Sequence, residues 1–221
     1  MTLTPPADPA QPLDPAQLLD LAPAARRVLA LEVRTVVRLR VGSGVASVLI
    51  RLPFGVLVGR AIPVDGRLPQ TDTTLRAADF LQWLDGERDT LPPPVDAMWR
   101  WPIPPEDGWE RVETVPDTVI RPLVRAGALT LKEAAEREGV PGAQPRAEVA
   151  DALLDSVVLT ADAESGAHAE LTLRALSALT RMGFLARGSS AHLDVNARWT
   201  RVAAVYGSVF TERDALDLTA R

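Results

Sequence analysis

"VRTVVRLRVGSGVASVLIRLPFGVLVGRAIPV", residues 33–64, is the stretch on which the fold turns. It is dense in Val, Ile and Leu, residues that fit a pleated, half-buried surface better than a helix. Val37, Leu39 and Val41 alternate with Arg38 and Arg40, so the first strand buries one face and wets the other. Gly42-Ser43-Gly44 offers the positive-φ residues of a tight hairpin. Pro53-Phe54-Gly55 offers a second turn or bend. The two later segments are apolar on both faces except at Arg51 and Arg60, which places them centrally in a sheet. Residues 45–64 have the length of a membrane span, but a central arginine costs about 2.5 kcal/mol or more in lipid. Arg51, Pro53 and Arg60 interrupt the run. A three-stranded antiparallel meander is the reading, and no membrane is expected.

Working outward, Asp14-Pro15 pairs an N-cap with a first-turn proline, so "PAQLLDLA" (15–22) is read as a short helix that Pro23 ends. The Pro-, Ala- and Asp-rich residues 1–13 read as a mobile tail. After a polar loop, "TTLRAADFLQWLDG" (73–86) carries Ala77, Phe80, Leu81 and Leu84 at helical spacing, with Gly86 to stop it. Residues 86–116 read as linker. Pro116-Asp117 opens a clearer helix with Ile120, Leu123, Val124, Leu131 and Ala135 on one face; Pro122 is expected near its first turn, and Gly139 and Pro141 end it. "PRAEVADALLD" (145–155) is a further helix starting at Pro145.

The C-terminal third admits two readings. In the first, "SVVLTADAESGAHAELTL" (156–173) is a hairpin turning near 164–166, "RALSALTRMGF" (174–184) is a helix, and "AHLDVN" and "WTRVAAVYGSVF" are strands. In the second, 169–187 is one long helix followed by a wing, and 198–210 is helical through Trp199, Val202, Ala203, Tyr206 and Phe210. The first is favoured. The expected class is therefore α+β: an N-terminal antiparallel β-meander, then a mainly helical C-terminal part with a β-hairpin. The expected segments are a mobile tail (1–13), a sheet-rich N-terminal subdomain (14–90), a Trp/Pro-rich connecting strap (91–116) and a C-terminal α+β subdomain (117–221).

The whole-chain composition, 47% hydrophobic and 24% charged over 221 residues, is that of a globular protein able to bury a core unaided. With no cysteine, disulfides, thiol catalysis and Cys-ligated zinc are excluded. The first residues lack the basic and apolar regions of a secretory signal, so a cytoplasmic location is expected. Lys132 is the single lysine against 23 arginines, which reads as the codon bias of a high-GC bacterial genome rather than as a nucleic-acid signature. The net charge of −5 is unevenly spread: residues 24–64 hold seven arginines against Glu32, and residues 65–114 hold eleven acids against five bases. Such blocks pair with each other in the fold or present a two-signed surface to a partner.

Few residues carry chemistry. "DAMWRWPIPPEDGWERV" (96–112) gathers Trp99, Trp101 and Trp109 among three prolines. These rings suit partner binding by stacking, by cation–π contact or as a proline-rich recognition segment. They suit equally a long connection held to the core by aromatic anchors, which is the expectation, with at least one ring edge exposed. Trp99 and Trp101 alternate around Arg100 and so share a face of an extended segment. His192 and Asp194, near Ser189 and Ser190, have weak spacing for a triad. His168 near Glu164 and Glu170 is too few ligands for a metal. No phosphate-binding loop is present, and Gly42-Ser43-Gly44 is explained by its hairpin. No catalytic residue, metal or cofactor is assigned.

"LTLRALSALTRMGFLAR" (171–187) resembles the recognition helix and following strand of MarR-type transcriptional regulators, through Leu171, Leu179, Met182, Gly183, Phe184, Leu185 and Arg187. The resemblance covers about twenty residues and implies a winged helix that binds DNA through Arg174, Arg181 and Arg187. The face carries few cations and the chain is acidic, against the basic surface that phosphate contacts need. The leading expectation is thus a non-enzymatic interaction or regulatory protein with a protein partner or self-association. A DNA-binding regulator is the alternative, and a hydrolase or metal enzyme the third; nucleic acid is not expected as a partner on charge grounds, and whether a small-molecule ligand binds is left open.

Overall fold

The computed structural model describes residues 13–65, 68–137 and 147–213. The expected mobile tail (1–12 of it), the stop at Gly139 and Pro141 and the start at Pro145 lie outside these residues. The fold is α+β, with an N-terminal antiparallel sheet, helices and a β-hairpin further on. It divides into two compact units, Met1–Ile103 and Pro104–Arg221.

In the first unit a 3-10 helix, Pro15–Leu21, runs straight into α1, Ala22–Leu29. Asp14 caps it as expected, its side chain accepting from the Ala16 N–H at 2.9 Å. Pro23 does not end this helix, as the sequence suggested. It sits in the first turn of α1, where a missing N–H removes no helical bond. The strands then follow: β1 Val36–Gly42, β2 Val45–Arg51, β3 Leu57–Pro63 and β4 Thr71–Arg76. Ser43 (φ 52°) and Gly44 (φ 76°) make the two-residue turn between β1 and β2. The expected meander is present, and β4 adds a fourth strand, pairing antiparallel with β1; it takes residues 73–76 from the segment read as the start of a helix, which begins only at Ala77. Its residues, Thr-Asp-Thr-Thr-Leu-Arg, hide the signal because only Thr74 and Leu75 turn inward.

The register lines up Leu75, Val37, Ile50 and Val58 across all four strands, each with essentially no exposed surface. Leu18, Leu21 and Val28 from the N-terminal helices are fully buried, as are Phe80 and Trp83 of α2, Ala77–Leu84. The helices pack on one another and on β2 and β3. Gly86 (φ 76°) terminates α2 in the left-handed conformation that glycine adopts without strain.

The second unit opens with β5, Glu110–Pro116, inside the stretch read as linker. The boundary between units also falls in that stretch. Next come α3 (Asp117–Arg137), α4 (Ala147–Leu154), β6 (Val157–Asp162), β7 (His168–Thr172), α5 (Leu173–Arg181), β8 (Ser190–Val195), β9 (Trp199–Ala204) and β10 (Gly207–Glu212). β6 and β7 are the hairpin, and β5, β8, β9 and β10 form an antiparallel sheet in that order. The favoured reading of the C-terminal third holds, while the long helix, the wing and the helical 198–210 do not form. Pro122 lies a turn deeper in α3 than expected, as its sixth residue. α5 buries Leu173, Ala175, Leu176, Ala178 and Leu179 against neighbours that include β9 and β10. Gly127 of α3 lies so close to α5 that a Cβ there would fall 2.3 Å from Leu173 Cδ2. No described helix is long and apolar enough to cross a membrane.

Candidate functional site

The basic block of the sequence sorts itself in the first unit. Arg26 is paired with Asp85, Arg38 with Asp72 at 2.7 Å, and Arg40 with Asp72 at 3.8 Å. Arg60 donates to the Asp20 carbonyl. Asp85 and Asp72, from outside the block, thus pair with three of its arginines, as charge-block pairing implies. Arg34 and Arg51 line a groove of about 400 Å3, together with Glu32, Thr35, Leu52, Pro53, Gly55, Met98 and Trp101.

Three local structures build this groove. The chain entering β1 supplies Glu32–Val36, fixed by the Thr35 N–H donating to Glu32 O and the Ala77 N–H donating to Thr35 O. The end of β2 supplies Arg51 and Leu52, and the tight turn after it is closed by Gly55 N–H to Leu52 O at 3.1 Å. The third wall is the strap. Val95 N–H donates to Thr74 O and the Thr74 N–H donates to Asp96 Oδ1 at 2.6 Å, so residues 95 and 96 occupy the outer backbone groups of β4 at Thr74. A single 3-10 turn, Asp96–Met98, then aims the chain across the groove.

Trp99 and Trp101 meet edge to face, with ring centroids 5.7 Å apart at 86°. The Trp99 indole N–H donates to the Trp101 carbonyl at 2.8 Å. Arg38 lies 6.0 Å from the Trp99 ring and Arg51 5.7 Å from the Trp101 ring, both within cation–π range. Trp99 is half-buried, but Trp101 keeps 36% and Met98 38% of their surface exposed.

Trp109 belongs to the second unit. Its indole N–H donates to the Pro105 carbonyl at 3.1 Å, and its ring packs on Phe210. The Arg201 guanidinium lies 4.3 Å from the ring centroid. Arg201 also donates to Asp194 Oδ2 at 2.8 and 3.0 Å, and Arg111 donates to Oδ1 of the same carboxylate. Asp194 is 1% exposed, and these two cations are its partners. This arrangement leaves no orienting acid for His192, whose Nδ1 is 3.2 Å from Thr114 Oγ1 instead. His168 faces Asp162 at 2.8 Å and Glu170 at 3.7 Å, rather than Glu164. Its pKa is raised, chiefly by the hydrogen bond to Asp162, with burial opposing. No group of three ligand-type side chains suited to a metal occurs among the described residues.

The residues of the DNA-binding alternative are not a phosphate surface together. Arg174 is held by Asp155 at 2.6 Å and Asp151 at 2.9 Å, partners contributed by α4 and the residue after it. Arg181 and Arg187 remain exposed. Nothing in the fold supports a winged-helix regulator.

The α+β architecture is that of bacterial sliding clamps. The chain aligns with the β sliding clamp of Caulobacter crescentus at 13% identity and a TM-score of 0.50, covering 95% of this chain and 67% of that one. The corresponding figures for the DNA polymerase III subunit beta of Pseudomonas aeruginosa are 11%, 0.50, 95% and 67%. For the sliding clamp of Bartonella birtlesii bound to griselimycin they are 9%, 0.52, 92% and 64%. The chain thus spans about two thirds of the length of these clamps, at identities that show the fold alone. By sequence, the chain belongs to the family of the domain of unknown function DUF8185, matched over residues 104–216. Residues 7–101 match a second domain of unknown function, DUF8010. The two matched regions meet where the two units meet. No curated protein matches the sequence.

Sequence reasoning singled out the tryptophans but missed Arg34, Arg51 and Met98 as their neighbours. Arg51 showed only as an interruption in an apolar run, and nothing in the sequence links it to a ring fifty residues later.

Proposed function

We propose that this chain is a non-enzymatic, cytoplasmic protein-interaction module that receives a partner protein in the groove beneath Trp101. The observation that carries this reading is the exposure of Trp101 and Met98 beside an open groove of about 400 Å3. Large aromatic and Met side chains are enriched at interfaces, where they supply area and adapt their shape. The groove has no nucleophile paired with a base, which fits recognition better than chemistry. The clamp-like fold supports an interaction role, since the similar chains include subunits of a polymerase assembly.

The test is affinity capture on the whole chain, comparing wild type with Trp101→Ala and Met98→Ala. Proteins retained by wild type and lost from both variants, at near-unchanged folding, are the expected result. The same proteins retained by all three would place the interaction elsewhere and overturn the assignment to this groove.

A further inference from the structure

The sequence holds three Asp–Gly steps, at Asp65, Asp85 and Asp107. We infer that the exposed Asp107–Gly108 turn of the second unit is a site of spontaneous modification, where aspartate converts to isoaspartate through a cyclic imide, and that the conversion releases Trp109 from Phe210.

The chemistry needs only these two residues and water. With the Asp107 carboxyl protonated, the Gly108 backbone nitrogen attacks its Cγ. A C–N bond forms, and the carboxyl hydroxyl leaves with the amide hydrogen as water, closing a five-membered imide. Water then adds back at one of the two imide carbonyls. Opening at Cγ restores aspartate. Opening at the backbone carbonyl leaves the chain routed through Cβ and Cγ, with the α-carboxylate as the side group. No atom is gained or lost overall, and nothing is oxidised or reduced.

Glycine after the aspartate favours the attack, because no Cβ shields the nitrogen or restricts the rotation that brings it to Cγ. All three steps share that feature, and their surroundings separate them. Asp65 is engaged, and Gly66 lies outside the described residues. Asp85 and Asp107 are both exposed, so access of water does not tell them apart. Both reacting groups of the Asp85 step are held: the carboxylate pairs with Arg26, and the Gly86 N–H donates to the Trp83 carbonyl at 3.2 Å. Neither Asp107 nor Gly108 makes a hydrogen bond or ion pair among the described residues. Gly108 sits at φ 73°, and a Cβ there would meet no heavy atom within 4 Å, so no packing opposes the rotation.

The turn is also the apex of a loop that Trp109 closes. Its indole N–H donates to the Pro105 carbonyl at 3.1 Å, and its ring packs on Phe210 with centroids 5.9 Å apart and lies 4.3 Å from the Arg201 guanidinium. Isoaspartate adds one methylene to the backbone between Pro105 and Trp109. A loop closed by a single side-chain hydrogen bond does not keep its register with an extra main-chain atom, so the indole leaves the Pro105 carbonyl and the ring leaves Phe210. Arg201 keeps its bonds to Asp194.

The experiment is storage of the whole chain at neutral pH and body temperature. Peptide mapping with electron-transfer fragmentation then tells isoaspartate from aspartate at each position. Isoaspartate should accumulate roughly tenfold faster at Asp107 than at Asp85, where a hydrogen bond and an ion pair must first break. Asp107→Glu closes a six-membered ring far more slowly and should stay unconverted. Asp107→Asn forms the same imide with ammonia as the leaving group and should reach the same product faster. Both variants should melt like wild type before storage, because the side chain is exposed. No isoaspartate at Asp107, equal accumulation at Asp85, or an Asp107→Asn variant that converts no faster than wild type overturns the site. Release of the ring is read from the indole N–H resonance of Trp109, assigned with Trp109→Phe. That resonance should shift in stored Asp107→Asn and stay in place in stored Asp107→Glu. A resonance unmoved in fully converted protein overturns the release.

Discussion

Truncating two tryptophans of the first unit separates its core from its groove. Trp83 is 1% exposed and packs near the Phe80 ring, with centroids 6.1 Å apart. Trp83→Ala removes a whole ring from a closed interior, and a buried Trp replaced by Ala costs about 3–5 kcal/mol. At about 2–4 °C per kcal/mol for a chain of this size, the melting temperature should fall by roughly 6–20 °C. Trp101 is 36% exposed, so its removal opens a notch to water rather than a void, and the cavity penalty drops out. What is lost is the burial of the covered part of the ring, about 1 kcal/mol or more, with the Arg51 cation–π contact, about 0.5–1 kcal/mol, and the Trp99 edge contact of similar size. Trp101→Ala should therefore cost about 2–3 kcal/mol and lower the melting temperature by roughly 4–12 °C. Thermal unfolding followed by circular dichroism on the whole chain reads both. A Trp101→Ala midpoint as low as that of Trp83→Ala would show the ring to be a core anchor. The groove would then be a by-product of packing.

Other perturbations test the two units separately. Val48 is fully buried in β2, so Val48→Asp places an unpaired carboxylate in the sheet core at several kcal/mol and should give insoluble or unfolded protein on expression. Gly127→Ala would improve helix propensity in isolation, yet its methyl would fall 2.3 Å from Leu173 Cδ2; overpacking should win and destabilise by about 1–3 kcal/mol in urea titration. Asp117, at the start of α3, accepts from Gly188 N–H at 3.0 Å and from Arg121 at 3.1 Å, and the Gly188 bond leads in holding its pKa below the usual carboxylate value. A lowered folded pKa means stability that is present at neutral pH and lost as pH falls below about 4. Asp117→Asn should therefore destabilise at pH 6 and lose that difference near pH 2, as read by denaturant midpoints.

What the sequence determined by itself is local. The alternation of Val37, Leu39 and Val41 with arginines, the Ser43-Gly44 turn, the helical spacing around Phe80 and the hairpin near Gly166 depend on neighbours a few residues away, and all are legible in order along the chain. Strands β4 and β5 were not, because each pairs with a single partner and is largely polar. With few inward residues, an edge strand carries almost no periodic signal. Pro23 illustrates a second limit: the same residue ends one helix or begins another, and only the packing of Leu18, Leu21 and Val28 into one core decides which.

The site was decided by tertiary structure alone. Three tryptophans within eleven positions looked like one cluster, but the unit boundary between Ile103 and Pro104 assigns Trp99 and Trp101 to the first unit and Trp109 to the second. Arg51 meets Trp101 and Arg111 meets Asp194 across 50 and 83 positions of sequence. The charge of a segment can be counted from its residues. Which of its arginines is neutralised by a distant acid, and which is left facing a groove, depends on how strands far apart in sequence are brought side by side.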